Sequence, residues 1–321
     1  MKYRTFIKAL FVSAAIAVSP MAFAAADIPC GTAKLIVPWK AGGGTDIIFR
    51  IITESINKSG TKPQVQVVNI PGQGGNKGAK EARKAKTDGC TLFAIHQSAM
   101  TSYLNGRVDF TWDAFEPVAL VTHTPAIVGA AKNVPYNDVT GLIATAKKKP
   151  SQILAGGTLG STSHFTMLLL EEAAGIKFKH VSYDGTRERM TALLANNIQI
   201  GEINVTAAKK YIQSGELKAL GIATPKRDPR IPDVKTLKEQ GIDLLFGVDR
   251  GVVLPKGTSK DVVKHYEKVI AKAMKDPDVI RQLEAKGSSV KYMSRKNYGK
   301  HLAGTFNTLK TTAIKIGLYK P

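Results

Sequence analysis

The sequence predicts an α/β protein of two lobes, each a mostly parallel sheet flanked by helices, with a hinged cleft between the lobes. Apolar strand segments alternate with helical segments over residues 35–96, and the same alternation returns over residues 140–224. Two extended apolar runs, 118–130 and 246–255, separate these regions. The first run is longer than a typical strand of a compact domain. We therefore expect the runs to carry the chain from one lobe to the other and back.

The first 24 residues have the pattern of a secretory signal peptide. Lys2, Arg4 and Lys8 form a basic start, an apolar stretch follows, and Ala22-Phe23-Ala24 ends it. We expect cleavage near Ala24 and export of the mature chain. The remaining residues divide into a first lobe, 25–123 with 247–321, and a second lobe, 124–246.

Composition favours a soluble protein that attracts anions. Of the 321 residues 43% are hydrophobic, and the formal net charge is +21, or +18 once Lys2, Arg4 and Lys8 are removed. Such a charge attracts nucleic acid, an acidic membrane surface or small acids. No basic cluster interleaved with aromatic residues is present, so we expect no nucleic-acid partner.

The first lobe begins with a strand–helix alternation that predicts a parallel sheet. Strands are expected at 35–38, 64–69 and 91–96, with helices at 46–58 and 76–85 between them. Right-handed crossovers bring the carboxyl ends of such strands to one edge, where open α/β sheets bind ligands.

Three glycine-rich loops, 42–46, 69–76 and 156–164, each lead into a predicted helix start. Free N–H groups and the helix dipole make such a start a natural site for an anion. The alternative is that 42–44 is only a tight turn, with Thr45 or Asp46 as the N-cap of the next helix. The presence of several such loops favours the anion site.

The second lobe repeats the alternation, and the chain after the return run is expected to be helical. Thr186 is the expected N-cap of the helix that follows it. The predicted elements are helices 140–149, 163–174, 187–196, 206–214, 260–275 and 277–286 and strands 152–155, 178–183, 198–203 and 218–224.

The two cysteines, Cys30 and Cys90, each stand just before an apolar strand. If these strands are neighbours in a parallel sheet, the two sulfurs meet at one edge. We expect a disulfide that contributes roughly 4 kcal/mol through loop entropy. The alternative is two separate buried thiols.

Catalytic and metal-binding patterns are missing from the sequence. Ser161 and His164 stand three residues apart, but no Gly-x-Ser-x-Gly elbow surrounds the serine. The six histidines show no paired ligand spacing, and no phosphate-binding motif with a committed lysine occurs. We expect no enzyme activity, no catalytic residue, no metal and no cofactor.

The ordered set of motifs resembles the periplasmic substrate-binding receptors of tripartite tricarboxylate transporters, also called Bug or TctC-type proteins. The similarity extends over nearly all of the mature chain. The motifs are Ile36-Val37-Pro38-Trp39 with 41–46, then 69–76, Asp88-Gly89-Cys90, 160–165, Tyr183-Asp184-Gly185, 231–236 and 254–258.

This resemblance implies a type II periplasmic-binding-protein fold and a periplasmic, monomeric receptor. It implies a small organic carboxylate as ligand and the integral membrane permease subunits of a tripartite transporter as partners. The ligand contacts that it implies are Gly43, Thr45, Asp46, Gly74, Gly75, Asn76, Ser161, Thr162, Ser163, His164, Tyr183, Gly185, Thr186 and Asn204.

The chain departs from the family pattern at Ser182, Asp184, Ala192 and Asp249-Arg250, which leaves the identity of the acid open. Arg187 or Arg250 would bind a second carboxylate if its side chain faced the cleft; the alternative is a surface position. A different function, a secreted basic polyanion-binding protein, would differ from a receptor by a steep salt dependence of binding.

Overall fold

The computed structural model describes residues 27–319, so the predicted signal peptide lies outside the described residues. The described chain contains the two predicted lobes, each built on one sheet with helices on both faces, which confirms the fold class. The strands are β1 Thr32–Val37, β2 Gln64–Asn69, β3 Thr91–Ile95, β4 Phe115–Pro125, β5 Ile127–Ala131, β6 Leu154–Gly157, β7 Lys179–Ser182, β8 Ile200–Ile203, β9 Leu217–Ile222, β10 Gly247–Pro255 and β11 Ser289–Met293. The helices are α1 Gly44–Lys58, α2 Asn76–Lys84, α3 Ser98–Leu104, α4 Val139–Lys148, α5 Thr162–Ala174, α6 Thr186–Leu194, α7 Val205–Gln213, α8 Lys260–Ala273, α9 Pro277–Ala285 and α10 Arg295–Lys315.

The sheets have the strand orders β11-β4-β10-β3-β1-β2 and β7-β6-β8-β5-β9. In the first sheet β1 pairs in parallel with β2 and β3, and in the second β6 pairs in parallel with β7 and β8. The long strands β4 and β10 and the strand β5 add antiparallel pairs, so both sheets are mixed.

The chain passes between the sheets at two neighbouring points. Ala126 separates β4 from β5, and Phe246 precedes β10. The Ala126 N–H donates to the Phe246 carbonyl at 3.1 Å, so the outgoing and returning segments are bonded to each other. These crossings lie where the two extended apolar runs were predicted.

Strand alternation gives each sheet an apolar core on both faces. Leu35 and Val37 pack with α1, α8 and α9, whereas Ile36 packs with α2, α3 and α10 on the other face. Both faces of such a sheet are buried, which explains the nearly continuous apolar sequence of its inner strands.

The expectation of helix throughout the chain after the return run is wrong at one place. Residues Ser289–Met293 form β11, an edge strand that pairs antiparallel with β4. A five-residue strand at a sheet edge has a weak periodic signal, so tertiary pairing decides its conformation. The short helix α3 was not anticipated either.

No helix within residues 27–319 combines the length and the apolar character that a membrane span requires.

Close packing of the crossing strand β10 against α10 gives a stability prediction. A Cβ at Gly251 would lie 2.3 Å from the Tyr298 hydroxyl oxygen, and Tyr298 is buried. We expect Gly251→Ala to lower the free energy of unfolding by about 1–3 kcal/mol through overpacking. Gly304→Ala on α10 is the matched control, since no atom lies within 4 Å of its added Cβ. Replacing a helical glycine there should raise stability by up to about 1 kcal/mol. Urea unfolding of both variants checks the contrast, and equal effects would contradict it.

Candidate functional site

A cavity of about 60 Å³ lies between the lobes, and residues of both lobes line it. We call it the cleft cavity. Its lining residues are Trp39, Lys40, Gly43, Gly44, Thr45, His96, Thr158, Ser161, Thr162, Ser163, Asp184, Gly185, Thr186, Arg187, Glu188, Arg189, Glu202, Asn204, Val248 and Arg250.

The first lobe contributes the N-terminus of α1. Gly42 has φ +79°, which turns the backbone so that the helix begins at Gly44. The N-cap is Gly43, which provides no side-chain cap. The alternative that Thr45 or Asp46 is the N-cap is therefore wrong, because both residues already lie within the helix. The first turn of α1 thus faces the cavity without a side chain to accept its amide hydrogens.

The second lobe contributes the N-termini of α5 and α6. The N-caps Ser161 and Gly185 provide no side-chain cap, and both residues line the cavity. Thr186 is the first helical residue of α6 rather than its predicted N-cap. Three uncapped helix N-termini therefore meet at one cavity, and each has a partial positive charge that favours an anion.

Arg250 is a buried cation at the cavity wall. Arg250 is 3% exposed. Its Nε donates to Thr45 Oγ1 at 3.0 Å, and its Nη1 donates to Thr124 Oγ1 at 2.6 Å. Within residues 27–319 it forms no ion pair. Burial lowers the pKa of Arg250 to about 10, although the nearby carboxylates of Glu202 and Asp249 oppose that shift. A bound carboxylate would give this charge a partner.

Arg189 and Glu202 form a second buried charge group on the same wall. Arg189 donates to Glu202 Oε2 at 2.6 Å, and the side chains are 1% and 5% exposed. This pair arises because α6 packs against β8, and it is neutral as a unit. Arg250 therefore remains the buried positive charge that lacks a carboxylate partner.

His96 and Trp39 join the first-lobe wall to the second lobe. The Trp39 indole N–H donates to His96 Nε2 at 2.7 Å, and the two rings stack with centroids 5.3 Å apart. His96 Nδ1 lies 3.3 Å from Thr162 Oγ1 of α5. Burial lowers the pKa of His96 to about 3, so the imidazole is neutral near pH 7 and acts only by hydrogen bonding.

Several contacts across the mouth hold the lobes together. Lys40 forms an ion pair with Glu188, and Gly74 N–H donates to Asp184 Oδ1 at 3.3 Å. Thr101 Oγ1 donates to the Gly160 carbonyl at 2.9 Å. The structure therefore has the lobes in contact around the small cleft cavity.

The structure brings eight of the predicted contact residues to the cavity wall and places six outside it. Those on the wall are Gly43, Thr45, Ser161, Thr162, Ser163, Gly185, Thr186 and Asn204. Those outside the lining are Asp46, Gly74, Gly75, Asn76, His164 and Tyr183.

Asp46 positions the first glycine loop instead of lining the cavity. Its carboxylate accepts from the Gly42 N–H, from Arg50 Nε and from Asn69 Nδ2, each at 2.9 Å. With both oxygens occupied inside the first lobe, Asp46 holds the turn that presents Gly43.

The second glycine loop closes the rim. A Cβ at Gly74 would contact Thr158 at 3.4 Å, and one at Gly75 would contact the Trp39 ring at 3.2 Å. Asn76, which follows, is buried as the first residue of α2.

On the other lobe His164 packs edge-on against His180, and burial lowers the pKa of His164 to about 4. Tyr183 uses its backbone N–H to bond the Gly157 carbonyl.

Sequence reasoning missed several lining residues, above all Arg189 and Glu202. Glu202 had a recognisable signal, since it is a single carboxylate near the end of an otherwise apolar strand. A buried charge in such a strand needs a partner or a ligand. Of the two arginines weighed from sequence, both Arg187 and Arg250 line the cavity, Arg187 at its exposed rim.

Among the described residues no cluster of histidine, cysteine, aspartate and glutamate side chains is arranged to hold a metal ion.

Comparisons with known proteins agree with this architecture. A family model described as "Tripartite tricarboxylate transporter family receptor" (TctC) matches residues 48–318. A Cupriavidus necator protein encoded in the gbd 5' region is 31% identical over 100% of this chain and 99% of its own length. The periplasmic binding protein BugD has TM-score 0.83 and 27% identity, covering 90% of this chain and 99% of BugD. MatC from Rhodopseudomonas palustris, solved with bound malate, has TM-score 0.82 and 25% identity, covering 88% of this chain and 98% of MatC. The chain therefore belongs to the TctC family of tripartite tricarboxylate transporter receptors, which are solute-binding proteins.

Proposed function

We propose that this protein is an extracytoplasmic receptor that captures a small organic carboxylate in the cleft cavity. It then delivers the acid to the integral membrane permease subunits of a tripartite transporter. One observation carries the proposal: three uncapped helix N-termini and the guanidinium of Arg250, which has no carboxylate partner, line the same cavity. The malate in the MatC structure supports a carboxylate as the ligand class.

The lobes give this capture a mechanism. We assign residues 25–123 with 247–321 to one lobe and residues 124–246 to the other, and we propose that the lobes hinge at the paired crossings, Ala126 and Phe246. An acid entering an open cleft exchanges water for amide and guanidinium donors, and lobe contact then excludes solvent. Differential affinity for the closed arrangement drives the closure.

Export to the periplasm fits this role. The bond between Cys30 and Cys90 is typical of an oxidising compartment, and residues 1–24 have the pattern of a signal peptide. We propose that the mature chain acts as a periplasmic monomer without cofactor, metal or catalysis.

A ligand screen tests the proposal. The mature protein is heated with mono-, di- and tricarboxylates and with polyphosphate, and each hit is titrated by calorimetry at low and moderate salt. We expect a carboxylate to raise the melting temperature by mass action, with an affinity that changes little with salt. If no carboxylate stabilises the protein while polyphosphate binds with a steep linear fall of log K against log salt, the protein is a polyanion binder instead.

A further inference from the structure

One oxygen of a buried carboxylate in the cavity wall has no hydrogen-bond partner. Glu202 lines the cleft cavity, and its side chain is 5% exposed. Its Oε2 accepts from Arg189, but its Oε1 is buried and finds no donor among the residues whose side chains the structure describes. A buried carboxylate oxygen without a donor is costly, so native structures rarely leave one.

Arg189 has no donor in position for that oxygen. Its Nε donates to the Glu202 carbonyl at 2.6 Å and one NH group donates to Oε2. The other NH group donates to Ser163 Oγ at 3.2 Å. Because Arg189 is 1% exposed and also donates to the Gly185 carbonyl and to Thr186 Oγ1, it cannot turn toward Oε1 without breaking these bonds.

The hydrogen bonds of two other groups on the wall also go to other partners. Arg250 donates to Thr45 and Thr124, and Asn204 uses its side-chain oxygen to cap α7 through the Ala207 N–H. None of these groups donates to Oε1 of Glu202, which is thus an acceptor without a donor in the wall.

We infer that the ligand of this receptor carries a hydrogen-bond donor, a hydroxyl or an ammonium group, close to its carboxylate. The carboxylate lies against Arg250 and the helix N-termini, and the donor satisfies Glu202 Oε1. This inference rests on the proposed function. It makes Glu202 the residue that separates hydroxy and amino acids from the plain acids of the same skeleton.

The charges of the wall agree with this division of roles. Four cations, Lys40, Arg187, Arg189 and Arg250, stand against three carboxylates, Asp184, Glu188 and Glu202, which leaves one positive charge in excess. The carboxylate of the ligand balances that charge. A second unmatched anionic group beside Glu202 would instead be repelled, so a donor is the favoured neighbour.

Calorimetry with matched acids tests the inference. The mature protein is titrated with three sets that share a skeleton: propionate, lactate and alanine; succinate, malate and aspartate; glutarate, 2-hydroxyglutarate and glutamate. In the skeleton that binds best, we expect the hydroxyl or amino member to bind at least about tenfold more tightly than the plain acid, because the plain acid leaves Oε1 unsatisfied. Comparison of the hydroxyl member with the amino member shows which donor the site takes.

The variant Glu202→Gln tests whether Glu202 causes the preference for donor-bearing acids. Arg189 holds the oxygen of the new amide, so the NH₂ group takes the place of Oε1. The preference for an ammonium, which only donates, should then disappear, whereas a hydroxyl can accept from the NH₂ group and should keep part of its preference. Glu171→Gln is the matched control, since Glu171 is equally buried but does not line the cavity, and the preference should persist.

Other outcomes would contradict the inference, the role of Glu202 or the proposed function. If a plain acid binds as tightly as its hydroxyl and amino partners, the inference is wrong while the receptor function stands. If the preference for the amino member survives Glu202→Gln, Glu202 is not its source. If no acid of any skeleton binds, the proposed function itself is contradicted and this inference with it. Should Glu202→Gln fail to fold, the comparison on the unaltered protein still decides.

Discussion

Arg250→Met is expected to weaken binding of the preferred acid by about a hundredfold or more, the range measured when one partner of a buried charge pair is lost. In the free protein the guanidinium is buried with only the hydroxyls of Thr45 and Thr124 as partners. Removing it also removes the desolvation penalty of an unpaired charge. The variant without ligand should therefore melt no lower than the unaltered protein, while the stabilisation by added acid is lost. Calorimetry and thermal unfolding measure the two effects.

Two comparison variants separate charge from geometry. Arg250→Lys keeps the positive charge but cannot form the bidentate hydrogen bonds of a guanidinium, so an intermediate affinity is expected. Arg281→Met removes a cation from the exposed surface of α9 and should leave the affinity unchanged. If Arg250→Met and the unaltered protein bound the acid equally well, Arg250 would not be a ligand contact.

Loss of the disulfide is expected to have the largest effect on stability. Cys30 and Cys90 are bonded across a sequence separation of 60 residues. In the chain-entropy model, replacing both by serine should lower the free energy of unfolding by about 4 kcal/mol. Urea unfolding of the double variant, and of the unaltered protein in reductant, measures the change.

Binding should survive that substitution, provided that the variant remains folded. The bridge lies at the amino ends of β1 and β3, where Lys34 is paired with Thr91. The cleft cavity lies beyond the carboxyl end of β1. Alkylation of both cysteines in the native exported protein without reductant would contradict the bridge.

The architecture was predictable because it depends on periodic signals. Strands buried on both faces have continuous apolar sequences, helices repeat at 3.6 residues, and glycine loops precede helix starts. The disulfide followed from the expected neighbourhood of β1 and β3. Confirmation of Cys30–Cys90 shows that this neighbourhood was correctly inferred.

The site was less predictable because side-chain direction depends on register. On β10, Val248 and Arg250 line the cleft cavity, whereas Gly247 and Asp249 line a groove on the opposite face. A shift of one residue would exchange these roles. Nothing in the sequence around Asp249-Arg250 gives that register, which comes from pairing with β3 and β4.

From the sequence alone, polar residues that hydrogen-bond within the protein could also not be distinguished from residues that contact a ligand. Asp46 stands in a glycine loop at a helix start, as a ligand contact would, yet its carboxylate is occupied by Gly42, Arg50 and Asn69. Glu202 shows the reverse case: it lies in an apolar strand, away from any glycine loop, and still lines the cavity. Such assignments need the partners of each side chain.

A crystal structure of the mature protein with its tightest-binding acid would show whether the cleft cavity is the binding site. We expect electron density for the acid inside the cleft cavity. One carboxylate should lie within hydrogen-bond distance of the Arg250 guanidinium and of the amides that begin α1 and α5. Density for the acid in the groove on the far side of β10, or on the outer surface, with the cleft cavity filled by water alone, would contradict it.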